Sequence, residues 1–393
     1  MSGSSSSRSS ARTRAAVRYD TPAHSARFRT PNSITRDPAT IAAWPSAASI
    51  SRTAIAWPPH PVTRCGDDWG MTIRPGAGES LPELVLVAHR MIIEEAEALR
   101  AALGDFSSAP QPGCPRELDD RAWSNDAAPQ AEGRRRLLHL TQHQAVLIYV
   151  NAYDHLLTLG RMLGGDGAMS LFSQASTSRV VCEAAVRFAW LLDSAIGNEE
   201  RIMRGAVALL ASAEERLRGA MRIPAGQFDP RLRQALIDNC TAERDSAQAL
   251  ITGAGMTVAP SRDGKRPARL ELDSPRVSVP VKLDVTELMG ALLPESPTWY
   301  NISSGVTHSH YWGLRDAVAS PGDEPLALTP DLLEVGAAAE SAISASGLII
   351  ARAGAYYGHD PQTHLQRTRE RRKAIDLHMR RIGAARWARH RNT

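Results

Sequence analysis

A chain of 393 residues with 43% hydrophobic but only 5% aromatic residues must build its core mainly from Ala, Leu, Val and Ile, which favours helices. Its formal charge of +4 averages segments of opposite sign: residues 1–66 hold nine arginines against Asp20 and Asp37, residues 367–391 hold nine arginines and Lys373 against Glu370 and Asp376, and the remainder carries −11. An acidic body with basic ends excludes a protein that coats nucleic acid over its whole surface.

Residues 1–70, rich in Ser, Arg and Pro, show neither helical nor strand period and read as a disordered tail; Met71 is an alternative start. From Leu81 to Leu103, with Ser80 as cap, Leu84, Val87, Met91 and Ala98 recur at helical spacing, while Glu94, Glu95, Glu97 and Arg100 supply polar faces. A Pro/Gly/Asp-rich loop is expected over 104–133. Further helices are expected over Arg134–Leu163, stopped by Gly164, Gly165 and Gly167, and over Ser170–Leu192, whose apolar residues run nearly all round it as in a buried central helix. Asn198 is expected to cap a helix to about Met221, and another follows over Pro230–Thr252.

Between residues 253 and 284 the pattern alternates and carries Asp263-Gly264 at a hairpin tip, which predicts a small β-like insert. Helical patterning returns over Val285–Leu293, Pro297–Val318 (capped by Ser296) and Pro330–Tyr357, followed by a basic tail over 359–393 that can continue as a helix. The expected architecture is mainly α: a multi-helix bundle over 71–358 with the insert at 253–284. The longest apolar window, Leu332–Ala355, is interrupted by Glu334, Glu340 and Arg352, so no membrane span is expected. Cys65, Cys114, Cys182 and Cys240 are far apart without a CxxC pair, as in a cytoplasmic protein with reduced thiols.

Two stretches concentrate polar chemistry. In SRVVCEAAVRFAWLLD, Arg179, Glu183 and Arg187 lie at i, i+4, i+8 on an otherwise apolar helix, where buried charge requires paired partners. In WYNISSGVTHSHYWGLRD, one continuous helix would align Tyr300, Ser304, His308, Tyr311 and Arg315 along one face. The expectation is a buried polar network of Arg179, Glu183, Arg187, Tyr300, Ser304 and His308. A catalytic use would fall to His308, Ser304 and Arg187, with His308 and Ser304 as a base and nucleophile, but no Gly-x-Ser-x-Gly elbow accompanies them. His139 and His143 at i, i+4, with Asp154 near the same stripe, have metal-ligand spacing without an HExxH glutamate. No metal or cofactor is expected. The 367–391 segment offers cations interleaved with apolar residues, as in phosphate-backbone binders, and a protein partner or homo-oligomer is the other expectation.

The residues Arg179-x3-Glu183-x3-Arg187-x2-Trp190 with Asp193, then Ile196-Gly197, Arg201-x2-Arg204-Gly205, Thr286-Glu287-Leu288 and Tyr300-x2-Ser303-Ser304-x3-His308-x3-Trp312-Gly313-Leu314, resemble a widespread set of uncharacterised actinobacterial helical proteins. The likeness runs from about Arg134 to Tyr357 and implies an all-helical core without naming an activity. The Ser/His segment is also distantly similar to HEPN-type helical proteins, many of them toxins or abortive-infection ribonucleases that use an Arg-x4-6-His motif. Here the literal match, Arg372-x5-His378, falls in the basic tail, whereas that family carries its motif in a packed helix pair. The function this leaves open is a non-catalytic helical interaction or regulatory protein, with a HEPN-like ribonuclease acting on RNA as the rival.

Overall fold

A computed structural model describes residues 82–122, 128–164, 170–224, 226, 229–262, 264, 267–273, 276–316, 318–319 and 329–391. The expected tail, the Met71 start and the Ser80 cap lie outside the described residues. The elements in chain order are α1 (Glu83–Ser108), α2 (Pro115–Ala122), α3 (Ala131–Gly164), α4 (Ser173–Leu191), α5 (Asn198–Arg222), α6 (Pro230–Gly253), β1 (Thr257–Pro260), β2 (Pro267–Asp273) and β3 (Arg276–Pro280). They continue with α7 (Val285–Leu292), α8 (Pro297–Thr307), α9 (Tyr311–Asp316), β4 (Val318–Ala319), β5 (Thr329–Pro330), α10 (Leu332–Tyr357) and α11 (Gln362–His390). The fold is mainly α with a small antiparallel insert, as composition and periodicity imply.

Four long helices close a ring, each packed on two neighbours: α1 on α3, α3 on α4, α4 on α10 and α10 on α1. The main core lies inside it, built from Ile92, Leu99, Leu156, Val181, Phe188, Ile343 and Ile349. Such a core is Ala-rich, and small side chains let helices approach closely. α10 is the one described helix long and apolar enough to cross a membrane, and 67% of its apolar window is buried inside the protein. α11, the basic segment, is a regular helix seated on both α1 and α10.

A second core gathers on one side. α5 and α6 pack together, and the sheet, in the order β1-β2-β3, lies against them through Leu270, Leu272 and Val279. Between β1 and β2, Gly264 N–H donates to Ser261 O at 2.8 Å, while Asp263 of the expected hairpin tip lies outside the described residues. α3 joins the two cores: Leu137 and Leu138 enter the second, while Ala152, Leu156 and Leu159 enter the first. Its crossing with α5 is tight enough that a Cβ on Gly205 would lie 1.7 Å from Thr141 Oγ1.

Four expectations are corrected. α1 continues through Gly104 to Ser108, and the loop after it contains α2. A helix of eight residues among Pro, Gly and Asp leaves too few turns for its period to be seen. The cap position of α5 is Gly197 rather than Asn198, which is already helical.

The helix expected over Pro297–Val318 is broken. α8 ends at Thr307, Ser309 takes φ 55°, and α9 starts at Tyr311. The two short helices fold onto each other so closely that a Cβ on Gly313 would lie 2.8 Å from the carbonyl carbon of Gly305. Two glycines eight residues apart thus allow a reversal that an unbroken helix cannot make. Ser309 carries the left-handed conformation that a side chain disfavours. Ser309→Gly is therefore expected to raise stability by roughly 0.5–1 kcal/mol in urea unfolding; an unchanged or lowered midpoint would show that no strain resides there.

Candidate functional site

Half of the expected network assembles. On α4, Arg179 Nε donates to Glu183 Oε1 at 2.7 Å, as the i, i+4 spacing implies. Tyr300, in the first turns of α8, donates from its hydroxyl to the same Glu183 oxygen at 3.3 Å. Arg179 Nη2 donates in turn to the Tyr300 hydroxyl at 3.4 Å, with the guanidinium 4.9 Å from the ring centroid. Beneath this clasp, Trp299 Nε1 donates to buried Ser178 Oγ at 3.0 Å. Burial, and then the Glu183 charge, push the Tyr300 phenol above its ordinary range.

The other half does not assemble. Arg187 points to solvent, Ser304 is half-buried with no side-chain bond to another network member, and His308 is exposed at the end of α8. The break at Ser309 takes Tyr311 off the face that carries Tyr300, whereas His308 keeps its helical N–H bond to Ser304 O at 3.0 Å and ends exposed because α8 stops there. His308 instead sits near His310, ring centroids 6.2 Å apart. The Arg315 side chain lies outside the described residues. Among the described residues no side-chain hydrogen bond joins Ser304 to His308, and exposed Arg187 bonds to neither, so no nucleophile and base are paired there. His139 and Asp154 are exposed and His143 is half-buried on α3; among the described residues no three His, Cys, Asp or Glu side chains group as metal ligands.

The most deeply buried charges are ones the spacing did not single out. Asp119 of α2 and Arg201 of α5 are 0% and 1% exposed, with Arg201 Nε 2.8 Å from Asp119 Oδ2. Tyr356 of α10 donates to the same oxygen at 2.9 Å, and its ring lies under the guanidinium at 5.0 Å. Arg201 spends its remaining donors on the carbonyls of Asp193 and Ile196, at 2.6 and 3.0 Å. Burial raises the Asp119 carboxyl above its usual value, and Arg201 only partly opposes this.

A second buried carboxylate, Glu95 of α1, accepts from Thr368 Oγ1 at 2.9 Å and from Arg371 Nη1 at 2.7 Å, both on α11. Its spacing with Ala88, Ile92 and Leu99 places it on the apolar stripe, a signal that the sequence does carry. Asp119 has no such signal. A third group centres on Arg204, which donates to Trp190 O at 2.6 Å and to Glu200 Oε1 at 2.6 and 3.1 Å, while Arg352 reaches Asp193 at 3.1 Å. These arrangements neutralise charge and tie helices together. The buried thiol of Cys182, pushed up to about 12 by burial, is no nucleophile.

Two measurements probe this division. In double-mutant cycles, E183Q and Y300F are expected to couple by about 0.5 kcal/mol or more, while H308A adds independently to each; coupling of H308A to E183Q would restore the full network. D119A is expected to cost about 3–5 kcal/mol by removing the buried oxygen that accepts from Tyr356 and faces Arg201 Nε, which leaves those donors unsatisfied. Because the folded Asp119 carboxyl titrates above its ordinary value of 3.8, its stability contribution is fully present below that value and falls as pH rises through the folded one. The advantage of wild type over D119A is thus expected to widen as pH falls through the folded value, and a narrowing gap would show that Arg201 outweighs burial.

No family model matches the chain, and comparison with curated proteins and with solved structures finds no match either. Function has to be read from the chain's own residues.

Proposed function

We propose that this chain is a non-catalytic helical interaction protein that meets a protein partner through the outer face of α3. The observation that carries this reading is a run of large apolar side chains at the middle of that helix, Val146, Leu147 and Val150, which are 50%, 55% and 47% exposed. Exposed apolar residues clustered on one helix face mark an interaction surface more than scattered ones do. The supporting observation is chemical: buried Glu95, Asp119 and Arg201 and half-buried Arg371 are engaged in pairs that bind helix to helix.

The HEPN-like ribonuclease remains the second reading, because Arg372-x5-His378 lies on a helix packed against α1 and α10 rather than in a free tail. Several contacts speak for a structural use of those residues. Arg372 is paired with Glu295 and donates to Glu340 at 3.0 Å, whereas His378 Nδ1 lies 3.6 Å from Glu83. Six residues along a helix also turn the second side chain about 240° from the first. The nucleic-acid reading of the basic segment is weakened in the same way, since Arg371, Arg372 and Arg386 are committed to acidic groups of the body.

Incubating the full chain with single-stranded and hairpin RNA separates the two readings. No cleavage above buffer is expected. Cleavage that disappears in H308A, or in R372A combined with H378A, with the helical circular dichroism intact, would replace the interaction reading by the ribonuclease one.

A further inference from the structure

We infer that the partner of α3 is a second copy of this chain, bound with the two α3 helices antiparallel about a two-fold axis that passes between Val146 and Leu147. This rests on the interaction reading and identifies its occupant. The warrant is the order of residues along the exposed face. At 100° per residue, Glu132, His139, Val146, Leu147, Val150, Asp154 and Arg161 fall within a single stripe of about 100°. All seven are exposed.

A two-fold interface is self-complementary, because each residue meets its symmetry counterpart on the other subunit. With the axis between Val146 and Leu147, Val146 of one copy meets Leu147 of the other, and an apolar patch forms at the centre. Moving outward, His139 comes opposite Asp154 of the second copy. Farther out, Glu132 comes opposite its Arg161. Each opposition occurs twice, and the two polar ones set a basic side chain against an acidic one, with Glu132 also paired with Arg135 of its own helix at 2.6 Å; exposed Arg136 of the same stripe falls opposite Leu157. Half-buried His143 falls opposite Val150 and extends the patch with its ring.

The parallel arrangement lacks this match, since it sets His139 against His139 and Asp154 against Asp154. Antiparallel helices also place each positive N-terminal end beside a negative C-terminal one. The helix is well suited to the task. Its 34 residues span about 51 Å, and its inner face is held in both cores, so that the outer stripe is presented without rearrangement.

The test is sedimentation velocity of the full chain over a dilution series. Wild type is expected to dimerise reversibly. L147E, which places a carboxylate in the apolar centre, is expected to raise the dissociation constant roughly tenfold or more with unchanged circular dichroism. H139D sets Asp against Asp154 at both ends of the interface and is expected to weaken the dimer. H139D combined with D154R swaps the two signs and is expected to restore it.

That restoration reads the register itself, which a general loss of fold would not reproduce. A dimer insensitive to L147E, or an H139D defect that D154R deepens, would overturn the antiparallel pairing while leaving the interaction reading in place. A wild-type chain that stays monomeric throughout the series would overturn self-association; the RNA assay decides separately whether the interaction reading falls with it.

Discussion

The buried pair between Asp119 and Arg201 is the constraint on which the arrangement of both cores turns. Two charges that are almost fully removed from water need close partners, and Asp119 Oδ2 has them in Arg201 and Tyr356, while Asp119 Oδ1 has no hydrogen-bond partner. Here the requirement recruits α2, α5, α10 and the turn after α4 to one point. Arg201 belongs to the helix that carries the second core, whereas Tyr356 belongs to the central helix of the first. An apolar contact would tolerate sliding between these bodies, but a guanidinium with two backbone carbonyls and one carboxylate does not. The price is a carboxyl held above its ordinary range by burial.

The same logic explains why the basic C-terminal segment is a structural helix. Its arginines face acids that the body supplies: Arg371 meets Glu95, Arg372 meets Glu340, and Arg386 meets Asp331 with two hydrogen bonds at 2.7 and 3.1 Å. Part of the opposite net charge on tail and body, visible as separate sums in the sequence, thus meets at their contact, through these three arginines. Glu95 is the strongest of these anchors because it is wholly buried and bonded to Thr368 as well as Arg371.

The long helices were legible because fifteen or more residues of one period outweigh any local ambiguity, and the alternating insert was legible for the same reason. The Arg179–Glu183 pair followed from spacing alone, and Tyr300 could be assigned to it because both lie in uninterrupted helix. His308 could not. It follows Ser304 by one helical turn but falls at the exposed end of α8, and periodicity cannot register that the helix stops there, where the chain reverses so that Gly305 lies against Gly313. Asp119 was hidden for a related reason: its burial is decided by Arg201, 82 positions away, and no local pattern anticipates a partner at that distance.

α3 brings these themes together. Leu137 and Leu138 fasten its first half to the second core, and Leu156 and Leu159 fasten its second half to the first. A helix held at both ends by its inner face has lost the freedom to turn its outer face inward. Val146, Leu147 and Val150 consequently remain at the surface, although burying them would be favourable by about 25 cal/mol for each Å² removed from water. The gain is not realised within the chain because turning them inward would expose Ala145, Ala152 and Leu156 in exchange. A surface from outside the described residues can cover the stripe without undoing the core, and the order of charges flanking it suits a second copy of the same helix running the other way.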